Sequence, residues 1–179
     1  MKKPTIYSAF LAAIVLLSGC AAPARIDQMA AYSSPIATNT KFKSAVGVAD
    51  VTGGKETNPM WTSQVSSTDF RRALEISLEN SGMFNRVLAG SKYRLTADMV
   101  KLDQPVIGID MTVSSTVQYS LIDMVSNKEV YGRVVQISYT AKFSDSFLGA
   151  ERLRLANEGA VKVNIQALID DLNGLKLPN

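Results

Sequence analysis

Residues 109–143 read IDMTVSSTVQYSLIDMVSNKEVYGRVVQISYTAKF, and their alternation decides the fold. Ile109, Met111, Val113, Val117, Tyr119 and Leu121 share one parity, with Ser115 the one polar break. Asp110, Thr112, Ser114, Gln118 and Ser120 take the other parity. A period of two predicts a strand with one buried and one wet face, because successive side chains point to opposite sides of the pleat. Ser126-Asn127-Lys128 predicts a tight turn. Tyr131, Val135, Ile137, Tyr139, Ala141 and Phe143 then fall on one face of a returning strand. The pair is an antiparallel hairpin, half apolar and half polar.

Upstream, Tyr93, Leu95, Ala97 and Met99 alternate with Lys92, Arg94, Thr96 and Asp98, so a third strand precedes the turn-like Asp103-Gln104-Pro105. Before it the period is helical. Phe70, Ala73, Leu74 and Leu78 recur along one helix face, Ser67 or Thr68 can cap the first amides, and Gly82 is placed as the stop. Residues 45–51, with Val46, Val48 and Val51, predict the first strand. The last element is a helix over about 149–172. Leu153, Ala156, Ala160, Val163 and Ala167 form a stripe that Val161, Ile165, Leu168 and Leu172 widen, and Gly174 and Pro178 end it. The order β-α-β-β-β-α predicts an α+β fold. It is a two-layer sandwich in which two helices cover a mostly antiparallel four-stranded sheet.

The N-terminus reads differently. Lys2 and Lys3 precede an apolar stretch from about Ile6 to Leu17 and the small residues of Leu17-Ser18-Gly19-Cys20. That is the plan of a secretory signal peptide, and the run is too short for a spanning helix, which needs about 20 apolar residues. Residues 21–43 are rich in Ala, Ser, Thr and Pro, with Pro23 and Pro35 and a short helical turn around residues 26–31. They read as a tether. The expected division is a signal over 1–19, a lipidated tether over 20–43 and a folded domain over 44–179.

Leu17-Ser18-Gly19-Cys20 resembles the lipobox of bacterial lipoproteins. That resemblance implies cleavage before Cys20, acylation of its thiol and an anchor at the new N-terminus. Ala21, rather than Asp, after the cysteine implies the outer membrane, with the domain on the periplasmic face. The order of elements, Lys92-Tyr93-Arg94-Leu95 opening a strand, and the stretch from Ala73-Leu74 to Gly82-Met83-Phe84 resemble two lipoprotein families. These are the lipopolysaccharide-assembly lipoproteins and the auxiliary lipoproteins of lipid transporters.

The chain has 179 residues, no histidine and one cysteine. Without histidine, a Ser-His-Asp triad, a Cys-His dyad and histidine-ligated zinc are excluded. Removing residues 1–19, with two lysines and no acid, leaves 160 residues with 17 basic against 16 acidic side chains. That balance gives no electrostatic case for nucleic acid. No metal site and no cofactor is expected.

Four other groups carry residue types suited to chemistry or binding. Gly47 to Lys55 misses the phosphate-loop spacing and lacks a Ser or Thr after the lysine, so it reads as a loop. Asp98, Asp103, Asp110 and Asp123 invite a carboxylate-pair mechanism, but read as solvated sheet-face residues, with Asp98 and Asp110 on the polar face. Glu158 and Asn164 lie near the apolar stripe of the last helix, beside Arg152 and Arg154, and read as structural. Large apolar residues on loops complete the list: Met60 and Trp61 before the first helix, and Val106 and Ile107 at a strand connection. Trp61 reads first as a lid folding back on the core. If the protein binds something apolar, Trp61, Val106 and Ile107 are the candidate partner-binding residues.

The functional expectation is a non-enzymatic, lipid-anchored accessory or assembly subunit of an envelope transport or secretion machine. It would contact a protein partner through the sheet edge or the apolar loops. The alternative is a free-standing lipoprotein that holds a lipid or glycan between sheet and helices. The sequence leaves the oligomeric state open.

Overall fold

A computed structural model of the chain describes residues 21–32 and 39–177. The expected signal over residues 1–19 and Cys20 lie outside the described residues, as do Pro35 and Pro178. The described chain runs α1 (Ile26–Met29), β1 (Val46–Thr52), α2 (Ser67–Asn80), β2 (Tyr93–Asp103), β3 (Met111–Asp123), β4 (Lys128–Ala141) and α3 (Gly149–Gly174). The sheet order is β1-β2-β3-β4. β1 runs parallel to β2, and the other two pairings are antiparallel. The expected two-layer α+β fold, β-α-β-β-β-α with a short helical turn in front, is what the chain forms. No helix of the described residues is long and apolar enough to cross a membrane.

The alternating residues land where their parity places them. Tyr93, Leu95, Ala97 and Met99 of β2 are buried, as are Met111, Val113, Val117, Tyr119 and Leu121 of β3. The other face is wet and carries hydroxyl pairs, such as Thr112 with Thr140 at 2.8 Å. On β4 only Val135 and Ala141 are buried; Tyr139 and, just beyond the strand, Phe143 are exposed. The reason is position: β4 is the last strand of the sheet, so α3 covers its face only in part. Ile109 is also exposed, because β3 begins two residues after it.

The helices keep their expected faces and the Gly82 stop, with two corrections. Ser66, not Ser67 or Thr68, caps α2, accepting a hydrogen bond from the Asp69 amide at 3.0 Å. Gly82 follows the helix at φ +73°, and the amides of Gly82 and Met83 close back on Glu79 and Leu78 in a Schellman turn. On α3, Val163 and Ala167 are only half-buried, whereas Asn164 and Ile169 are inside. Asn164 sits in the core stripe because its partners are there. Its Nδ2 donates to the Ser115 carbonyl, to Ser115 Oγ and to the Val135 carbonyl at 3.0–3.2 Å, and its Oδ1 accepts from the Tyr119 hydroxyl at 2.9 Å. Ser115, the polar break in β3, also donates to the Ala160 carbonyl at 3.0 Å.

The largest correction concerns residues 21–31. They are not a tether. Ala21, Ala24, Met29, Ala30 and Ala31 are buried, and Ala24, Met29 and Ala31 join the main core beside Phe42, Phe70 and Leu74. α1 lies against both α2 and α3. Alanine-rich composition reads as linker, but small side chains are also what lets a segment lie close against two helices. The folded domain therefore includes residues 21–31, which lie ahead of the expected boundary at residue 44.

Candidate functional site

The antiparallel pairings bring the end of β2, the start of β3 and the end of β4 to one end of the sheet. The C-terminal end of β1, the entry to α2 and the first turn of α3 share it. Three loops and the first described residue, Ala21, meet there.

The first loop, residues 53–65, leaves β1 through Gly53 at φ +80° and Gly54, whose amide donates to Ser67 Oγ at 3.0 Å. Of the stretch from Gly47 to Lys55, residues 47–52 belong to β1 and only residues 53–55 form a turn, packed on the start of α2. Farther on, the amides of Met60 and Trp61 donate to Asn58, to its side chain at 2.9 Å and its carbonyl at 3.0 Å. The turn pushes both side chains outward, leaving Met60 87% and Trp61 81% exposed. Trp61 is therefore not a lid on the core. The tight turn around Asn58 points it away from the sheet.

The second loop joins β2 to β3 and exposes Val106 at 95% and Ile107 at 89%. A polar knot ties it to the first. Gln104 Nε2 donates to the Ser63 carbonyl and to Asn157 Oδ1, Gln64 Nε2 donates to Gln104 Oε1, and Asn157 Nδ2 donates to the Ser63 carbonyl, at 2.7–3.0 Å. The third loop follows β4. Phe143 and Phe147 stack edge to face at 5.2 Å, and the buried Arg152 lies over Phe143. The Arg152 guanidinium also donates to the carbonyls of Ser146 and Gly108, at 2.7 and 3.5 Å, and the Phe143 amide donates to Asp110 Oδ1.

The N-terminal segment is fastened to the same end. The Ala21 amide donates to the Pro59 carbonyl at 2.9 Å and the Ala24 amide to the Gln64 carbonyl at 3.3 Å. Arg25 gives Glu158 its backbone amide, Nε and a terminal guanidinium nitrogen, all at 2.9–3.0 Å. Its bond to this carboxylate raises the guanidinium pKa further above its ordinary value. The three apolar candidates Trp61, Val106 and Ile107 thus lie exposed on two loops joined by hydrogen bonds. Sequence reasoning missed the knot of Gln64, Gln104 and Asn157, and it missed Arg25. Buried polar residues on an apolar stripe, as Asn157 and Glu158 are, were the available signal.

The carboxylates do not converge. Asp98 accepts from Thr52 Oγ1 at 2.7 Å, Asp103 pairs with Lys101 at 2.8 Å, and Asp123 caps the β3–β4 turn at the other end. Asp110 precedes β3 rather than sharing the polar sheet face with Asp98. The amides of Ser126 and Val125 hold the Asp123 carboxyl below its usual range. At that far end a cleft of about 620 Å³ opens, lined by Lys41, Lys92, Tyr93, Asp123, Lys128 and Lys176 among others. It opens between the hairpin end of the sheet and the chain just after α3.

The two sheet edges differ. β1 is covered: the Val46 amide donates to the Met83 carbonyl, the Asn85 amide donates to the Val46 carbonyl, and Arg71 reaches the Val48 carbonyl. β4 has a strand neighbour on one side only. Its second half, residues 134–141, reads VVQISYTA and carries no charge.

No protein-family model matches this chain, and no curated protein matches it. Solved structures share its fold. Protein XCC0632 from Xanthomonas campestris, described under DUF330, is 14% identical with a TM-score of 0.53, over 80% of this chain and 95% of that one. The hypothetical protein CT253 from Chlamydia trachomatis is 9% identical with a TM-score of 0.53, over 73% and 96%. A minor lipoprotein from Acinetobacter baumannii is 11% identical with a TM-score of 0.50, over 77% and 98%.

Proposed function

We propose that the chain is a lipoprotein of the bacterial envelope, anchored through acylated Cys20 in the outer membrane and facing the periplasm. Its role is that of a non-catalytic accessory or assembly subunit of a transport or secretion machine. The lipobox and Ala21 after the cysteine support the anchor and its address, and the fold is shared with a lipoprotein of Acinetobacter baumannii. The observation that carries the partner role is the contrast between the edges. β1 is covered, whereas β4 carries an uncharged run with a strand neighbour on one side only. Edge strands are usually blunted by charge, proline or cover, and one left open suits pairing with a strand of another protein.

The test is photo-crosslinking in native membranes from probes at Val134, Gln136 and Ser138, with Thr96 on the wet sheet face as control. One envelope protein captured from the edge positions and not from Thr96 supports the role. Equal capture from all four, or from none, contradicts it. The ligand-binding alternative draws on the lysine-lined cleft, whose volume falls in the range of small-molecule sites. Native mass spectrometry of the detergent-extracted protein separates the two, since a bound lipid or glycan favours the alternative.

A further inference from the structure

We infer that the loop end of the domain sits directly in the lipid surface that holds Cys20, with Trp61, Met60, Val106, Ile107 and Phe147 entering the interfacial layer. This rests on the lipoprotein reading above. Cys20 is one peptide from Ala21, and adjacent Cα atoms are ~3.8 Å apart. Ala21 is buried, and its amide is bonded to Pro59, the residue before Met60. Ala24 and Arg25 are pinned to Gln64 and Glu158. No slack chain therefore separates the acyl anchor from the domain. A free tether of 24 residues would have reached about 80 Å when extended. With none, whatever surrounds Ala21 lies at the headgroups.

The loops at this end carry large exposed apolar residues beside exposed charged ones such as Lys101 and Asp103. Met60, Trp61, Val106, Ile107 and Phe147 are each 79–95% exposed, and all occupy loops at this end. A tryptophan beside aliphatic loop tips suits the boundary between headgroups and acyl chains. Exposed residues of this size are costly in water and favourable in lipid. The fixed bonds at Ala21 also set the orientation. α3 runs away from the membrane, and the lysine-lined cleft faces outward from it.

Trp61 is the only tryptophan, so its fluorescence reports on this end alone. The full acylated protein is reconstituted in phosphatidylethanolamine–phosphatidylglycerol vesicles, with or without bromine on the acyl chains, after mass spectrometry of the Cys20 peptide. The expected result is a blue-shifted Trp61 emission that brominated lipid quenches and aqueous iodide does not. Val106→Ser with Ile107→Ser, both on the surface, should weaken that quenching at unchanged melting temperature. If Cys20 is acylated but iodide reaches Trp61 and brominated lipid does not, the seating is overturned and the lipoprotein reading stands. Shielding of Trp61 from both quenchers, by a second copy or another protein, overturns it equally. An unmodified Cys20 in membrane-extracted protein overturns both.

Discussion

Arg25 and Glu158, 133 residues apart, are joined by three hydrogen bonds that fix the N-terminal segment to the middle of α3. The Glu158 side chain is 3% exposed, and its nearest other cation, Arg154, stands at 3.7 Å. A buried carboxylate needs its donors, because an unsatisfied charge costs more than the bond itself returns. The pair therefore decides whether residues 21–31 belong to the domain or hang from it.

Arg25→Ala is expected to lower stability by about 1–3 kcal/mol, the usual cost of orphaning a buried group. It should also speed hydrogen exchange over residues 24–31 more than elsewhere. A urea melt and exchange mass spectrometry check both. Uniform exchange across the chain would show that the segment is held by packing alone.

Gly159 packs against the Tyr139 ring so closely that an added Cβ would overlap it. Gly→Ala inside a helix ordinarily gains up to ~1 kcal/mol, whereas overpacking costs ~1–3 kcal/mol. Gly159→Ala is expected to lose on the order of 1 kcal/mol, and Gly159→Ala with Tyr139→Ser to recover the loss. Chemical denaturation of the two variants and of Tyr139→Ser alone gives the coupling.

Asn164→Leu leaves the Tyr119 hydroxyl and the Val135 carbonyl without their partner in the core. Each orphan costs about 1–3 kcal/mol. Adding Tyr119→Phe removes one of them, so the double variant should be more stable than Asn164→Leu alone. Thermal melts of the pair measure the difference.

Burial raises the Tyr119 pKa well above its ordinary value, with a smaller contribution from Tyr131. Burial also raises that of Tyr131, and its bond to Asp171 at 2.6 Å adds to the shift. A phenol whose folded pKa exceeds its unfolded one favours the folded state below the unfolded value, about 10, and that stability is lost as pH rises toward the folded value. Ultraviolet titration should show Tyr119 and Tyr131 ionising only as the protein unfolds.

The sheet was legible because alternation is a local property. Val113, Val117, Tyr119 and Leu121 declare their face without reference to any other element. The glycine stop of α2 is likewise a few-residue signal. Ala21–Ala24–Met29 was illegible because alanine looks the same in a linker and in a close helix contact. The distinction rests on Glu158, far along the chain. Asn164 and Ser115 each look like a flaw in an apolar stripe, and they make sense only as partners across the core. Trp61 was misplaced for a similar reason. Its hydrophobicity favours burial, but the turn made by Asn58 determines where it points.

The most direct test of the proposed anchor is intact-peptide mass spectrometry of the N-terminus of protein extracted from membranes of the native cell. The expected species begins at Cys20, carries a thioether-linked diacylglyceryl group and continues with Ala21. A chain that begins elsewhere, or a Cys20 without lipid, would contradict the anchored lipoprotein on which the function proposed for this domain rests.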